Sequence, residues 1–237
     1  MSIRTFRTPL FAPASRVSVV IPTVNEESGI EAALASTEGA YEVIVVDGGS
    51  TDRTAAIAAA NGARVLATAR GRGRQMAAGA RAATGDVLLF LHADSRLPSG
   101  FAESVIDVIS RRACTWGRFD IRFDRGGPLL GTIARLISWR SRLTRGATGD
   151  QAIFVSYAAY RRVGGFSEQG LFEDVALCRR LRRDGPMGVP TGVVITSARR
   201  WRAQGTLRTS VRMWCLKGLY LLGVSSETLE RYYRDAR

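Results

Sequence analysis

The stretch Gly85–Ser95, GDVLLFLHADS, constrains the fold of this chain more than any other, because an apolar run stops abruptly at His92 and Asp94. An unbroken apolar run of this kind predicts a strand buried on both faces, as in a parallel sheet. The acid stands at the carboxyl end of that strand, where open α/β sheets take their ligands. The pattern recurs at Glu42–Val46 (EVIVV), which runs into Asp47, Gly48, Gly49, Ser50, Thr51 and Asp52. Two buried strands ending in acids and small residues point to a nucleotide site with a place for a divalent metal.

The surrounding rhythm agrees. Val17–Ile21 reads as a first strand, and Asn25 is placed to cap a helix over Glu26–Ser36. Thr54–Ala60 and Arg72–Ala83 read as helices, with Arg64–Thr68 and Val87–Leu91 as strands between and after them. This alternation predicts a mainly parallel, Rossmann-like α/β sheet flanked by helices, with Asp47 and Asp94 side by side on adjacent strands. Beyond Asp94, helices are expected at Pro98–Ser110 and Leu129–Leu143, and a strand with one wet face at Trp116–Phe123. Ala152–Val155 and Val193–Thr196 read as further strands. A glycine-rich loop, Gly164–Gly170, delivers Glu173 and Asp174 into a helix ending near Arg183, and two helices, Thr206–Leu222 and Ser226–Ala236, follow.

Charge narrows the partners. The net charge is +13, and of 34 basic residues Lys217 alone is a lysine. Guanidinium groups bind phosphate bidentately, so phosphorylated ligands, anionic lipid and nucleic acid are the partner classes this admits. A general bias towards arginine accounts for many of them equally well. The arginines are dispersed and no nucleic-acid recognition motif appears, so a nucleic-acid partner is not expected. Cys114, Cys178 and Cys215 lie far apart, without metal-ligand spacing, which fits a reducing compartment. No apolar run reaches the length of a spanning helix. A cytoplasmic chain is expected, peripheral on the inner face of the cell membrane if the apolar stretch LRTSVRMWCLKGLYLLG lies in a lipid interface, with Trp214 and Tyr220 at headgroup depth.

His92 is the only histidine and no G-x-S-x-G elbow occurs, so general-base work falls to a carboxylate. The candidates are Asp150 and the Glu173–Asp174 pair, although acids at a helix amino end also serve the dipole. Arg70–Gln75 follows a strand and opens a helix, a setting that suits a diphosphate as well as it suits a solvated basic turn. It is a defective dinucleotide fingerprint, since Met76 stands where a third glycine belongs.

Taken in order, these segments resemble the family 2 glycosyltransferases of the GT-A fold, from about Val17 to Trp201. VSVVIPTVNEE is similar to that family's opening strand, VVDGGSTDRT to its D-D-G-S loop, and FLHADSRLP to its D-x-D metal motif. GDQAIFV and GGFSEQGLFEDVALCRRL resemble the acceptor-side loop and the E-D motif. The resemblance implies an inverting transfer of a sugar from a nucleotide-diphosphate donor to a hydroxyl or carboxyl acceptor. A lipid or carotenoid-type molecule is one candidate acceptor class. It implies donor contacts from Pro22, Thr23, Glu26, Asp47, Arg72, Arg74, Gln75, His92, Ala93 and Asp94, with Asp94 holding Mg2+ or Mn2+. Asp174 becomes the base, and Asp150, Gln151, Glu173, Arg200 and Trp201 border the acceptor. Gly48 replaces the loop's second aspartate and His92 the first acid of the D-x-D motif. The expected organisation is a basic extension over 1–16, the GT-A domain over 17–205 and a helical extension over 206–237. A basic nucleic-acid binder and a non-catalytic nucleotide- or membrane-binding GT-A module are the alternatives.

Overall fold

The computed structural model describes residues 16–167, 171–199, 205, 215–220, 222–226 and 228–229. Strands β1 (Val17–Thr23), β2 (Glu42–Asp47), β3 (Arg64–Ala67) and β4 (Val87–Phe90) run parallel in the order β3-β2-β1-β4. The sheet continues past β4 with β8 (Phe154–Ser156), β6 (Trp116–Gly117) and β9 (Met187–Gly188), where β8 is antiparallel to both its neighbours. A second sheet joins β5 (Ser95–Arg96), β10 (Val193–Thr196) and β7 (Asp120–Phe123). The helices are α1 (Ile30–Ala35), α2 (Thr54–Ala60), α3 (Arg72–Ala82), α4 (Phe101–Ile106), α5 (Pro128–Thr144), α6 (Tyr157–Arg162) and α7 (Glu173–Asp184).

Successive side chains on the central strands enter opposite cores, which is why those strands carry no polar face. Val19, Ile21, Val45, Leu89 and Leu91 pack with α1, α2 and α4, while Val20, Ile44, Val46, Leu88 and Phe90 pack with α3, α6 and α7. Each such side chain, wholly removed from water, contributes roughly 1.5–3 kcal/mol. Helix α3 approaches the sheet through Gly79, where a Cβ would lie 2.3 Å from Val20 Cγ1 and 3.0 Å from Val46 Cγ2. Helix α5 lies on the second sheet, burying Leu130 and Ala134 against Ile121 and Phe123.

Four expectations change. Asn25 does not cap a helix: it has a φ of 54°, and α1 starts only at Ile30. The single strand expected over Trp116–Phe123 divides into β6 and β7, which belong to different sheets. The break falls at Arg118, a fully buried guanidinium that bonds Asp120, Phe119 O and, at 2.9 Å, Ser138 O. The helix expected over Pro98–Ser110 is α4 followed by a π-helical turn, Asp107–Arg111. β1 lies between β2 and β4, so Asp47 and Asp94 flank Thr23 rather than standing on neighbouring strands.

Gly79→Ala is expected to destabilise the protein by about 1–3 kcal/mol despite its better helix propensity, because Val20 and Val46 cannot move aside. Gly131→Ala, on α5 where an added Cβ meets nothing within 4 Å, is expected to gain up to about 1 kcal/mol. Urea unfolding of both variants checks the contrast.

Candidate active site

The carboxyl ends of β1, β2 and β4 share one edge of the large sheet, and the loops leaving them are stitched to one another. Asp47 is the register partner of Thr23. Its carboxylate accepts the Gly49 and Ser50 amides at 3.1 and 2.9 Å, the Ser50 hydroxyl, and the Thr23 hydroxyl at 3.4 Å. These donors replace the water that burial removes. Asn25 accepts the Thr51 amide at 2.8 Å and donates its own amide to Ser50 Oγ at 2.9 Å, locking the loop after β1 to the loop after β2. Asp52 accepts the Glu27 amide at 3.2 Å, and its bond from the Thr54 hydroxyl holds its carboxyl below the usual carboxylate range.

Gly48 has a local reason. A Cβ there would lie 2.8 Å from Val24 and 3.0 Å from the Gln75 amide. Gln75 is buried, and its Nε2 donates to the carbonyls of Thr23 and Val46, both at 2.8 Å. Gln75 thus holds two strand ends together. Gly73 likewise serves close packing, since a Cβ on it would meet Ser167 O at 2.3 Å. Pro22 is half-buried within β1, opposite Val46, and Arg72 and Arg74 stand in the first turn of α3.

On the other side of the edge, β4 leads through His92 and Ala93 to Asp94. The Ala93 carbonyl lies 3.1 Å from where a Cβ on Gly29 would stand, so that glycine admits the loop after β1. Asp94 is half-buried, with Ser95 Oγ 3.3 Å from its Oδ1. His92 packs on Gly149, where a Cβ would fall 2.4 Å from His92 Nε2 and 3.6 Å from Asp174 Oδ2. The Gly149 amide donates to Asp174 Oδ2 at 2.6 Å and the Val175 amide to Oδ1 at 2.7 Å. His92, Gly149 and Asp174, from three distant segments, therefore form one cluster.

Glu173 and Asp174 open α7, where the helix dipole favours negative charge. Both are buried. Burial pushes the Glu173 carboxyl up, against the pull of Arg72, whose Nε donates to Glu173 Oε1. Burial also pushes Asp150 up, with Asp174 adding to the rise, and its Oδ1 has no hydrogen-bond partner among the described residues. Gln151 turns away from the site: it is fully buried, and its amide carbonyl accepts Ser141 Oγ at 2.9 Å and the Thr148 amide at 3.1 Å. Arg200 and Trp201 lie outside the described residues. Cys178 is no nucleophile, because burial and the neighbouring Asp174 push its thiol up to about 12.

Two basic residues reach the site that the sequence reading did not assign there. Arg199 donates to Glu26 Oε2 at 2.9 Å and to Ser28 Oγ at 3.0 Å. Lys217 faces Asp174, Cys178 and Asp150, while burial and the nearby Arg140 push its ammonium down. The helical segment 215–220 that carries it rests Leu216 and Tyr220 against Phe172, whose ring lies 5.2 Å from that of Tyr220. Tyr220 is thus packed in part against the domain. The signal for Lys217 was its uniqueness; for Arg199 it was the ARRW segment after β10.

Among the described residues no three of His, Cys, Asp and Glu gather into a ready-made metal cluster. The half-open Asp94 carboxylate still fits a hard divalent ion that takes its remaining ligands from phosphate and water.

The family model for glycosyl transferase family 2 matches residues 18–169. An uncharacterised glycosyltransferase of Mycobacterium tuberculosis is 34% identical over 135 residues, covering 53% of this chain and 59% of that protein's length. An undecaprenyl-phosphate 4-deoxy-4-formamido-L-arabinose transferase of Klebsiella pneumoniae is 35% identical over 103 residues, 37% of this chain and 32% of its own. A mannosyltransferase from Pyrobaculum calidifontis, solved with GDP-Man and Mn2+, superposes with a TM-score of 0.63 at 20% identity, covering 81% of this chain and 61% of that one.

A carboxyl whose pKa rises on folding favours the folded state at low pH and loses that contribution as pH climbs through the folded value. Asp150→Asn is therefore expected to melt above the wild type at about pH 7, with the difference closing towards about pH 4. Thermal unfolding followed by circular dichroism across that range checks it.

Proposed function

The chain belongs to glycosyl transferase family 2, and on that premise we propose that it is an inverting, metal-dependent glycosyltransferase. The donor is a nucleotide-diphosphate sugar, and the acceptor offers a hydroxyl or carboxyl group. A lipid or carotenoid-type acceptor is favoured, in keeping with the lipid-phosphate substrate named for the Klebsiella relative. The chain works on the cytoplasmic side, at a membrane surface.

The observation that carries this reading is the cluster of His92, Gly149 and Asp174 at the carboxyl edge, with Gly149 bonded to Asp174 and Asp94 two residues beyond His92 on the same loop. Pro22, Thr23, Glu26 and Asp47 line the nucleotide side, held in place by the paired loops after β1 and β2. Asp94 would hold Mg2+ or Mn2+, which neutralises the diphosphate when bound. Arg72 and Arg74, at the start of α3, bring positive charge to the leaving group. His92 and Ala93 border the sugar.

The reaction is a single displacement. Asp174 takes the acceptor proton as the acceptor oxygen attacks the anomeric carbon, and the bond from that carbon to the diphosphate breaks with its electron pair leaving on phosphate. Bonds from the Gly149 and Val175 amides aim the Asp174 carboxylate and keep it in one rotamer. Glu173, paired with Arg72, links the base to the donor-side arginine. Asp150 and Lys217 flank the acceptor side.

Asp174→Asn is expected to lower turnover about 10²–10⁴-fold while donor affinity holds. Asp94→Asn is expected to abolish the Mn2+-dependent part of donor binding. Calorimetric titration with UDP- and GDP-sugars, alongside donor hydrolysis, separates the two effects. Full activity in Asp174→Asn, or no donor binding with Mn2+ present, overturns the assignment.

A further inference from the structure

Helix α5 is apolar on two opposite sides. Its inward side packs Leu130, Ala134, Ser138 and Ser141 into the domain. Its outward side exposes Leu129 (62%), Leu136 (51%), Trp139 (61%) and Leu143 (64%). At about 100° per residue, those four side chains fall within a stripe roughly 80° wide that points almost directly away from the core. Isolated exposed leucines need no explanation, but a Leu/Trp stripe on one helix, interrupted only by Thr132, does.

The charge around the stripe has one sign. From Pro128 to Arg145 the chain holds four arginines, Arg135, Arg140, Arg142 and Arg145, and no acid. By helical geometry Arg135 and Arg142 border one side of the stripe and Arg140 the other. Arg182 adds a further guanidinium at the same end, donating to Thr144 O at 2.9 Å. Asp120, shared between Arg118 and Arg142, offsets part of the charge on one side, while Asp124 accepts the Ala198 amide at 2.8 Å and Arg135, Arg140 and Arg145 have no acid on α5 to offset them. No helix among the described residues is long and apolar enough to cross a membrane. An apolar stripe flanked by arginines, with tryptophan within it, is what lies in the plane of an anionic bilayer, its cations at the phosphates and its apolar side chains at the acyl boundary.

We propose that the outward face of α5 is a docking surface for an anionic lipid bilayer. This deepens the functional reading by naming the surface on which a lipid acceptor is met, and it moves that surface from the last helices to α5. The position suits the chemistry. Four residues separate the end of α5 from the Gly149–Gln151 turn, Ser141 is bonded to Gln151 at 2.9 Å, and Gly149 contacts both His92 and Asp174. A bilayer against the outward face of α5 is therefore one helix diameter, about 10 Å, from that turn.

The test is cosedimentation of the full chain with phosphatidylcholine vesicles and with equimolar phosphatidylcholine–phosphatidylglycerol vesicles at low and high salt. The chain is expected to bind the anionic vesicles, less strongly as salt rises. Binding should fall at least tenfold in L136S/W139S/L143S and by a smaller factor in R135E. These positions are exposed and outside the catalytic cluster, so melting temperature and Mn2+-dependent donor binding should stay at wild-type values. Wild-type failure to bind anionic vesicles, or full binding by the triple variant, overturns the proposal. So does a wild-type dimer in gel filtration that the triple variant turns into a monomer, since a second copy would then cover the face. Donor binding, read in parallel, reports on the glycosyltransferase reading separately.

Discussion

Burial of the central parallel strands on both faces is the constraint on which the rest of this structure depends. Because β1, β2 and β4 offer side chains to two cores at once, their middles are apolar, and the polar Ser18 is buried only by donating its hydroxyl to Glu42 at 2.7 Å. Chemistry is pushed to the strand ends, where the backbone leaves the sheet and charged side chains regain water or find partners. Asp47 and Asp94 both stand just where an apolar run stops. Their neighbours follow from that placement: Thr23 and Gln75 close over the ends of β1 and β2, and Gly48 and Gly29 are glycines because packed groups lie against them.

The high positive charge takes on a different meaning once the partners are known. Arg118, Arg162, Arg180 and Arg199 are joined to carboxylates or carbonyls of the same chain, so they act as internal braces. Arg72 is shared between brace and site through Glu173. What remains exposed is gathered in part along α5 and at the end of α7, beside an apolar stripe. A dispersed excess of arginine thus resolves into structural ion pairs and one amphipathic surface, which weakens the case for a polynucleotide partner.

Much of the fold was legible because hydrophobic period and turn chemistry are local. The bounds of α2 and β10 agree with the reading from sequence residue for residue, and β1 to β4 lie within a residue or two of it. The errors share a cause in tertiary contacts. Asn25 carries a helix-capping side chain, yet that carbonyl oxygen is taken by Thr51 from another loop. Trp116–Phe123 alternates like one strand, but a buried Arg118 divides it between two sheets. Gln151 sits beside Asp150 in sequence, and the turn sends one to the core and the other towards Asp174. The short strands β5 and β9 had no signal of their own, since two residues carry no period.

The sequence by itself determined the α/β alternation, the sheet edge at which acids collect, and the resemblance that the family match bears out. Each of these depends on residues close together in the chain. Only the tertiary structure decided which distant groups meet: Arg72 with Glu173, Glu26 with Arg199, and His92 with Gly149. Such pairs leave no periodic trace in the sequence, because their proximity is created by the packing of helices on two faces of one sheet. The outward stripe of α5 is the same case in reverse. Leu129–Leu143 reads as a helix with no face assigned, and only the second sheet, by taking one side, leaves Leu129, Leu136 and Leu143 in the open.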